Sequence, residues 1–161
     1  MINNAPILFA DSNVFIEALF LKDSAAAILL ELVAKGSFNL ATCQLVIDDV
    51  ETAILNKLKD KHHLIDTLLE QWEKLKEDLR LIILTDPTEA EAKETYDKYI
   101  TVMRHKADIP VLCAALKMNP APNAILSGNR EHFNDLVSQR CGIYVGSCKE
   151  FLELISTPAD I

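Results

Sequence analysis

The sequence predicts an α/β fold with a mostly parallel sheet flanked by helices. Three observations carry this. Short apolar runs alternate with helix-period segments along the whole chain. The first run, "PILFA" at 6–10, is continuously apolar, as a strand buried on both faces must be. At 161 residues, 50% hydrophobic, with 4 Gly and 6 Pro, the chain fits one domain over 1–161 with little room for linkers.

Taken in order, "PILFA" is the first strand. From Ser12 the spacing turns helical through Val14 and Leu19, then Ile28, Leu29, Leu32 and Val33. Lys22-Asp23-Ser24 divides this into two helices, with Ser24 as the second N-cap and Gly36 as its stop. "FNLAT" (38–42) is a second strand. "LVIDDVETAILNKL" (45–58) places Val46, Val50, Ile54 and Leu58 on one helical face. The next helix puts Leu64, Leu68, Leu75 and Leu79 near one stripe, with Trp72 as a core or interface anchor. "RLIILT" (80–85) is a third strand. Asp86-Pro87 opens a charged helix with Pro at its first position, running to about His105. Asp108-Ile109-Pro110 restarts a helix that "PAPN" stops. "AILS" (124–127) is a fourth strand, followed by the loop "GNREHF". "GIYVG" (142–146) is a fifth, and "CKEFLELI" closes with a helix.

Charge and cysteine usage narrow the function. The formal charge of −8 argues against a protein that coats nucleic acid by bulk attraction, but not against a metal-bridged phosphate contact. None of Cys43, Cys113, Cys141 and Cys148 forms a CxxC or a zinc-spaced cluster, so they read as reduced thiols of a cytoplasmic protein. "SAAAILLELVA" is interrupted by Glu31 and too short to span a bilayer, and the N-terminus has no basic region. A soluble protein is expected.

In an open parallel sheet, ligands bind at the carboxyl ends of the strands. Asp11 follows the first strand directly, and Asn129 follows the fourth. Asp48 and Asp49 lie on the helix after the second strand, and Asp108 opens the helix before the fourth. Carboxylates brought together repel one another and lose hydration unless a cation neutralises them. Oxygen-only ligands select a hard ion, Mg²⁺ or Mn²⁺. The competing reading of each acid is local: Asp11 and Asp108 are both good helix N-caps. Arg104, His105 and Lys106 can grip a phosphate at the rim or simply complement a helix C-terminus. Arg130 and Lys22 are further rim candidates. His132 reads either as a loop brace or as an acid–base group, and His62-His63 as a solvated face.

Four segments together, "FADSNVFIEAL", "CQLVIDDVETAIL", "DIPVLCAALKMNPAPNAILSGNREHF" and "IYVGSCKEFLEL", resemble PIN-domain ribonucleases, over about residues 7 to 155. The resemblance implies a three-layer α/β/α sandwich and a cluster of acids binding Mg²⁺ or Mn²⁺. It also implies metal-dependent hydrolysis of RNA, commonly as the toxin of a toxin–antitoxin pair. Asp11, Asp49 and Asp108 match the acids that hold metal. Asn129 matches an Asp-or-Asn position that orients a water or ligand. Asn13 matches the small polar residue two places after the first acid, and Ser127 can bond a carboxylate or a phosphate. The rim candidates Arg104 and Arg130, read from charge and position and not from the resemblance, join Asn13 and Ser127 as the expected substrate-binding set. The family usually has Glu at the second position, where this chain has Asp49, with Asp48 and Glu51 as neighbours in reserve. The implied partners are an RNA substrate, an antitoxin and a second copy of the chain through the first helices. Two other classes compete: a PIN fold that binds RNA or protein without efficient catalysis, and phosphoryl transfer on Asp11. The latter wants an Asp where Asn13 stands.

Overall fold

Strand β1 (Ile7–Ala10) lies at the centre of a five-stranded parallel sheet of order β3-β2-β1-β4-β5, in which β2 is Asn39–Cys43, β3 Ile82–Leu84, β4 Ala124–Leu126 and β5 Tyr144–Gly146. The structure is a computed structural model and describes residues 4–103 and 105–157, so Arg104 lies outside the described residues. From β1 the chain steps outward to β2 and β3, then returns to the other side for β4 and β5. The topological switch therefore falls between β1 and β4, where Ala10 is in register with Leu126. Leu8, Phe9, Ala10 and all of β4 are wholly buried, as their apolar runs require. The edge strands are short, and Ile83 on β3 is 45% exposed.

The helices are α1 (Ser12–Phe20), α2 (Ala25–Ala34), α3 (Gln44–Lys57), α4 (His62–Asp78), α5 (Glu89–Tyr99), α6 (Ile109–Leu116), α7 (Asp135–Cys141) and α8 (Cys148–Ser156). A short 3-10 turn, Lys106–Asp108, precedes α6. One packed group joins α1 to α2 and α3, α2 to α8, and α3 to α4; α5 packs with α6 as a second. This is the three-layer α/β/α sandwich that the sequence leads one to expect. Trp72 is wholly buried in α4 and meets Phe15 edge-on, with ring centroids 5.3 Å apart. No helix among the described residues is long and apolar enough to cross a membrane.

Three elements differ from the sequence expectation. The charged helix does not open at Asp86-Pro87 but at Thr88, whose side chain and that of Glu91 form a reciprocal capping box. Asp86 instead accepts the Leu45 N–H at 2.9 Å and so serves the first turn of α3. That helix also ends at Tyr99, short of His105. Second, the connector after "GNREHF" contains α7, capped by Asn134 and closed by Gly142 at φ 74°. Gly142 ends that helix, so β5 begins later, at Tyr144. Third, the buried stripe of α4 runs through Ile65, Leu68, Leu69, Trp72, Leu75 and Leu79, and Leu64 faces outward at 40% exposure.

Candidate functional site

Asp11 stands at the switch point. Its N–H bonds the Leu126 carbonyl at 2.9 Å, extending the β1–β4 pairing by one residue. Its Oδ1 accepts from the Ser12 N–H at 2.8 Å, so the local role of helix N-cap is real. That role occupies one oxygen only. Oδ2 accepts from Ser127 Oγ at 2.9 Å and from Asn13 Nδ2 at 3.2 Å. Asn13 Nδ2 also donates to Ser127 Oγ at 3.1 Å, while Asn13 Oδ1 accepts the Gly128 N–H at 2.6 Å. The Asn129 N–H closes the network on Ser127 Oγ at 3.1 Å. The turn after β4 is thus strapped to the first turn of α1.

The other two acids arrive from α3 and from the 3-10 turn. The Thr42 hydroxyl, fully buried, donates to the Ala10 carbonyl at 2.8 Å and fixes the end of β2, where α3 starts, against the end of β1. On α3, Asp49 carries the negative charge that Asp11 feels alongside that of Asp108. Its neighbours are engaged elsewhere: Asp48 accepts from Gln44 Nε2 at 2.9 Å, and Glu51 lies 4.0 Å from Lys76 Nζ on α4. Asp108 does not cap α6 with its side chain. Its Oδ2 lies 2.6 Å from His132 Nδ1 and 3.9 Å from His105 Nδ1. A carboxylate acceptor so close places the proton on His132 Nδ1. The Asn129 carboxamide is 2.9 Å from the same nitrogen.

The electrostatics follow from this crowding. Burial raises the Asp11 carboxyl above its ordinary value, and the charges of Asp108 and Asp49 push it further; hydrogen bonds from Ser12 and Ser127 oppose the rise. Asp49 is raised first by desolvation and then by Asp108 and Asp48. Among the described residues, neither Asp11 nor Asp49 has an ion-pair partner. The ligand atoms of Asp11, Asp49 and Asp108 do not all lie within 4.8 Å of one another, so a hard divalent ion shared by the three would reach some of them through water.

The remaining sequence candidates divide. Asn13, Ser127 and Asn129 belong to the network around Asp11 and Asp108. Arg130 does not face the acids. Its guanidinium bonds Glu150 and Asp135, each at 2.9 Å, and the Phe133 carbonyl, so it braces the loop after β4 against α7 and α8. The Lys106 ammonium sits over the Tyr96 ring. Lys22 lines a groove with residues of α1, α2 and α4. The sequence reading left His105 and His132 without a shared partner; the structure stacks their rings 5.0 Å apart over Asp108.

No family model matches the sequence, and no curated protein does. Among solved structures, FitAcB from Neisseria gonorrhoeae is similar at TM-score 0.62 and 15% identity, covering 88% of this chain and 98% of that one. VapBC2 from Rickettsia felis, solved bound to a DNA fragment from its promoter, matches at TM-score 0.57 and 17% identity, covering 86% and 96%. PAE2754 from Pyrobaculum aerophilum matches at TM-score 0.57 and 10% identity, covering 95% and 91%. At these identities the likeness is one of fold. The fold is the PIN-like α/β/α sandwich that the motifs of the sequence imply.

Proposed function

We propose that the chain is a metal-dependent endoribonuclease and the toxin half of a toxin–antitoxin pair. One observation supports this reading: Asp11 stands at the β1–β4 switch point, and the charges of Asp49 and Asp108, remote in sequence, both raise its carboxyl. Asp11, Asp49 and Asp108 would hold Mg²⁺ or Mn²⁺, directly or through water. When bound, such an ion neutralises the three acids and polarises a phosphodiester for hydrolysis. Ser127 holds Asp11 Oδ2 in place, and Asn13 keeps the Ser127 turn against α1. His132 holds Asp108 Oδ2, leaving that carboxylate's other oxygen for the site. Asn129 orients a water or a ligand beside His132. Arg104 grips a substrate phosphate at the rim; Arg130 acts there only by bracing the loop that carries Asn129.

The choice of RNA as substrate rests on the motif resemblance. An antitoxin partner is supported by the fold shared with VapBC2 and FitAcB, and a homodimer by the family's use of its first helices. A second reading, a binding module with weak catalysis, is favoured by one feature: Asp49 offers a shorter arm than the usual Glu and sits at an exposed position. Incubation of single-stranded RNA with the protein, with and without Mg²⁺ or Mn²⁺, separates the two. The nuclease reading predicts cleavage that requires the ion and falls by at least about tenfold in Asp11→Asn. Absence of metal-dependent cleavage supports the module, and equal cleavage by wild type and Asp11→Asn removes this site from the chemistry.

A further inference from the structure

We propose that His105, Asp108 and His132 form a second metal site, selective for a borderline-soft divalent ion such as Zn²⁺ or Co²⁺. One ligand atom from each lies within 4.8 Å of the other two, and no other such trio of His, Cys, Asp or Glu occurs among the described residues. Both imidazoles present Nδ1 to the same oxygen, Asp108 Oδ2, at 2.6 Å for His132 and 3.9 Å for His105; to ligate, His132 switches to the tautomer with its proton on Nε2, which frees the Nδ1 lone pair for the ion. The residues come from separate parts of the chain: the 3-10 turn and the segment before it, and the loop after β4. Bonds of about 2.0–2.1 Å to a tetrahedral ion hold its ligand atoms roughly 3.3 Å apart. The pair at 2.6 Å must therefore open slightly and the pair at 3.9 Å close slightly.

The two rings stack at an interplanar angle of 18°, so they already share an orientation. His105 is 61% exposed at its side chain and can turn toward the ion. The Asn129 carboxamide, 2.9 Å from His132 Nδ1, is the nearest further polar group. Imidazole ligands favour Zn²⁺, Co²⁺ or Ni²⁺, whereas Mg²⁺ demands oxygens. The site is thus chemically distinct from the all-oxygen set around Asp11, although Asp108 belongs to both. An ion held by the imidazoles withdraws Asp108 from Asp11 and Asp49 and inhibits Mg²⁺-supported cleavage; this consequence rests on the nuclease reading, whereas the binding does not.

The test is Co²⁺ titration of the full chain, read by visible absorption, which reports imidazole ligation in low coordination without any assay of activity. One equivalent should bind with a visible band. His132→Ala and His105→Ala should each weaken binding by about tenfold or more. His105 is exposed, so its variant keeps the fold and the test stands even if His132→Ala unfolds. Asp11→Asn and the double variant His62→Ala/His63→Ala should bind within about threefold of wild type, a ratio that corresponds to under 1 kcal/mol. The proposal is overturned if neither His105→Ala nor His132→Ala weakens the band. It is equally overturned if the His62/His63 variant abolishes it, or if Asp11→Asn weakens it as much as the histidine variants do.

Discussion

Ser127→Ala is the sharpest structural perturbation of the candidate site. The Ser127 hydroxyl is wholly buried, donates to Asp11 Oδ2 at 2.9 Å, and accepts from Asn13 Nδ2 and the Asn129 N–H, each at 3.1 Å. A hydrogen bond to a charged acceptor contributes about 1.5–3 kcal/mol. Each neutral donor left behind costs about 0.5–1 kcal/mol more, less where water reaches it. Asn13 keeps its bond to Asp11, which limits the damage. The sum is a loss of about 2–4 kcal/mol, or roughly 5–15 °C in melting temperature for a domain of this size. Calorimetry without divalent ions at neutral pH measures it. The bond is strongest to the ionised carboxylate, so the gap between variant and wild type should narrow as acid protonates Asp11. An unchanged melting temperature, or a gap independent of pH, would refute the assignment of Ser127 as the support of a buried charge.

Three further outcomes follow from the same geometry. The folded Asp11 and Asp49 carboxyls lie above the ordinary 3.8, so the folded chain holds their protons more tightly than the unfolded one, and stability falls as pH rises through the window just above that value. Denaturant titration across that window, without divalent ions, should find stability shifting in favour of Asp11→Asn relative to wild type as pH rises, since only the wild type must bury the charge. A divalent ion present at about 100 times its dissociation constant should add about 2.7 kcal/mol of stability. In thermal-shift titration Asp49→Asn should lose that gain, while Asp48→Asn and Glu51→Gln keep it, because those acids are engaged by Gln44 and Lys76. Trp72→Ala should cost about 3–5 kcal/mol in urea unfolding, and Trp72→Phe clearly less. The Phe ring can keep an aromatic contact with Phe15, and its substitution removes an indole N–H that has no partner among the described residues.

The strands were legible as short apolar runs; β1 and β4 are the clearest cases because both faces are covered, fully buried from Leu8 to Ala10 and across Ala124–Leu126, whereas edge strand β3 leaves Ile83 exposed. The fold class follows from their alternation with helical periods. Helix boundaries were less legible where two capping signals compete. Asp86-Pro87 and Thr88-x-x-Glu91 are both plausible starts, and the reciprocal capping box prevails because Asp86 is drawn to α3, a contact with no local signature. Helix α7 had its signals in plain sight, Asn134 before it and Gly142 after it, but at seven residues it is too short for periodicity to register. At the site, Asp11 and Asn129 could be chosen from their places after strands, whereas Asn13 and Ser127 came from the motif resemblance. The preference for Asp49 over Asp48 and Glu51 gains from packing, since their engagements lie on neighbouring turns and on α4. The pairing of His105 and His132 over Asp108 could not be read at all, because it depends on how a loop after β4 folds back on the turn before α6.

The most direct test of the shared ion is anomalous X-ray scattering from a crystal of the chain soaked in Mn²⁺. An ion should appear at the β1–β4 switch point, held by Asp11, Asp49 and Asp108 directly or through one water each. Manganese bound only at distant surface acids, or only at His105 and His132 with Asp11 and Asp49 uninvolved, would contradict it.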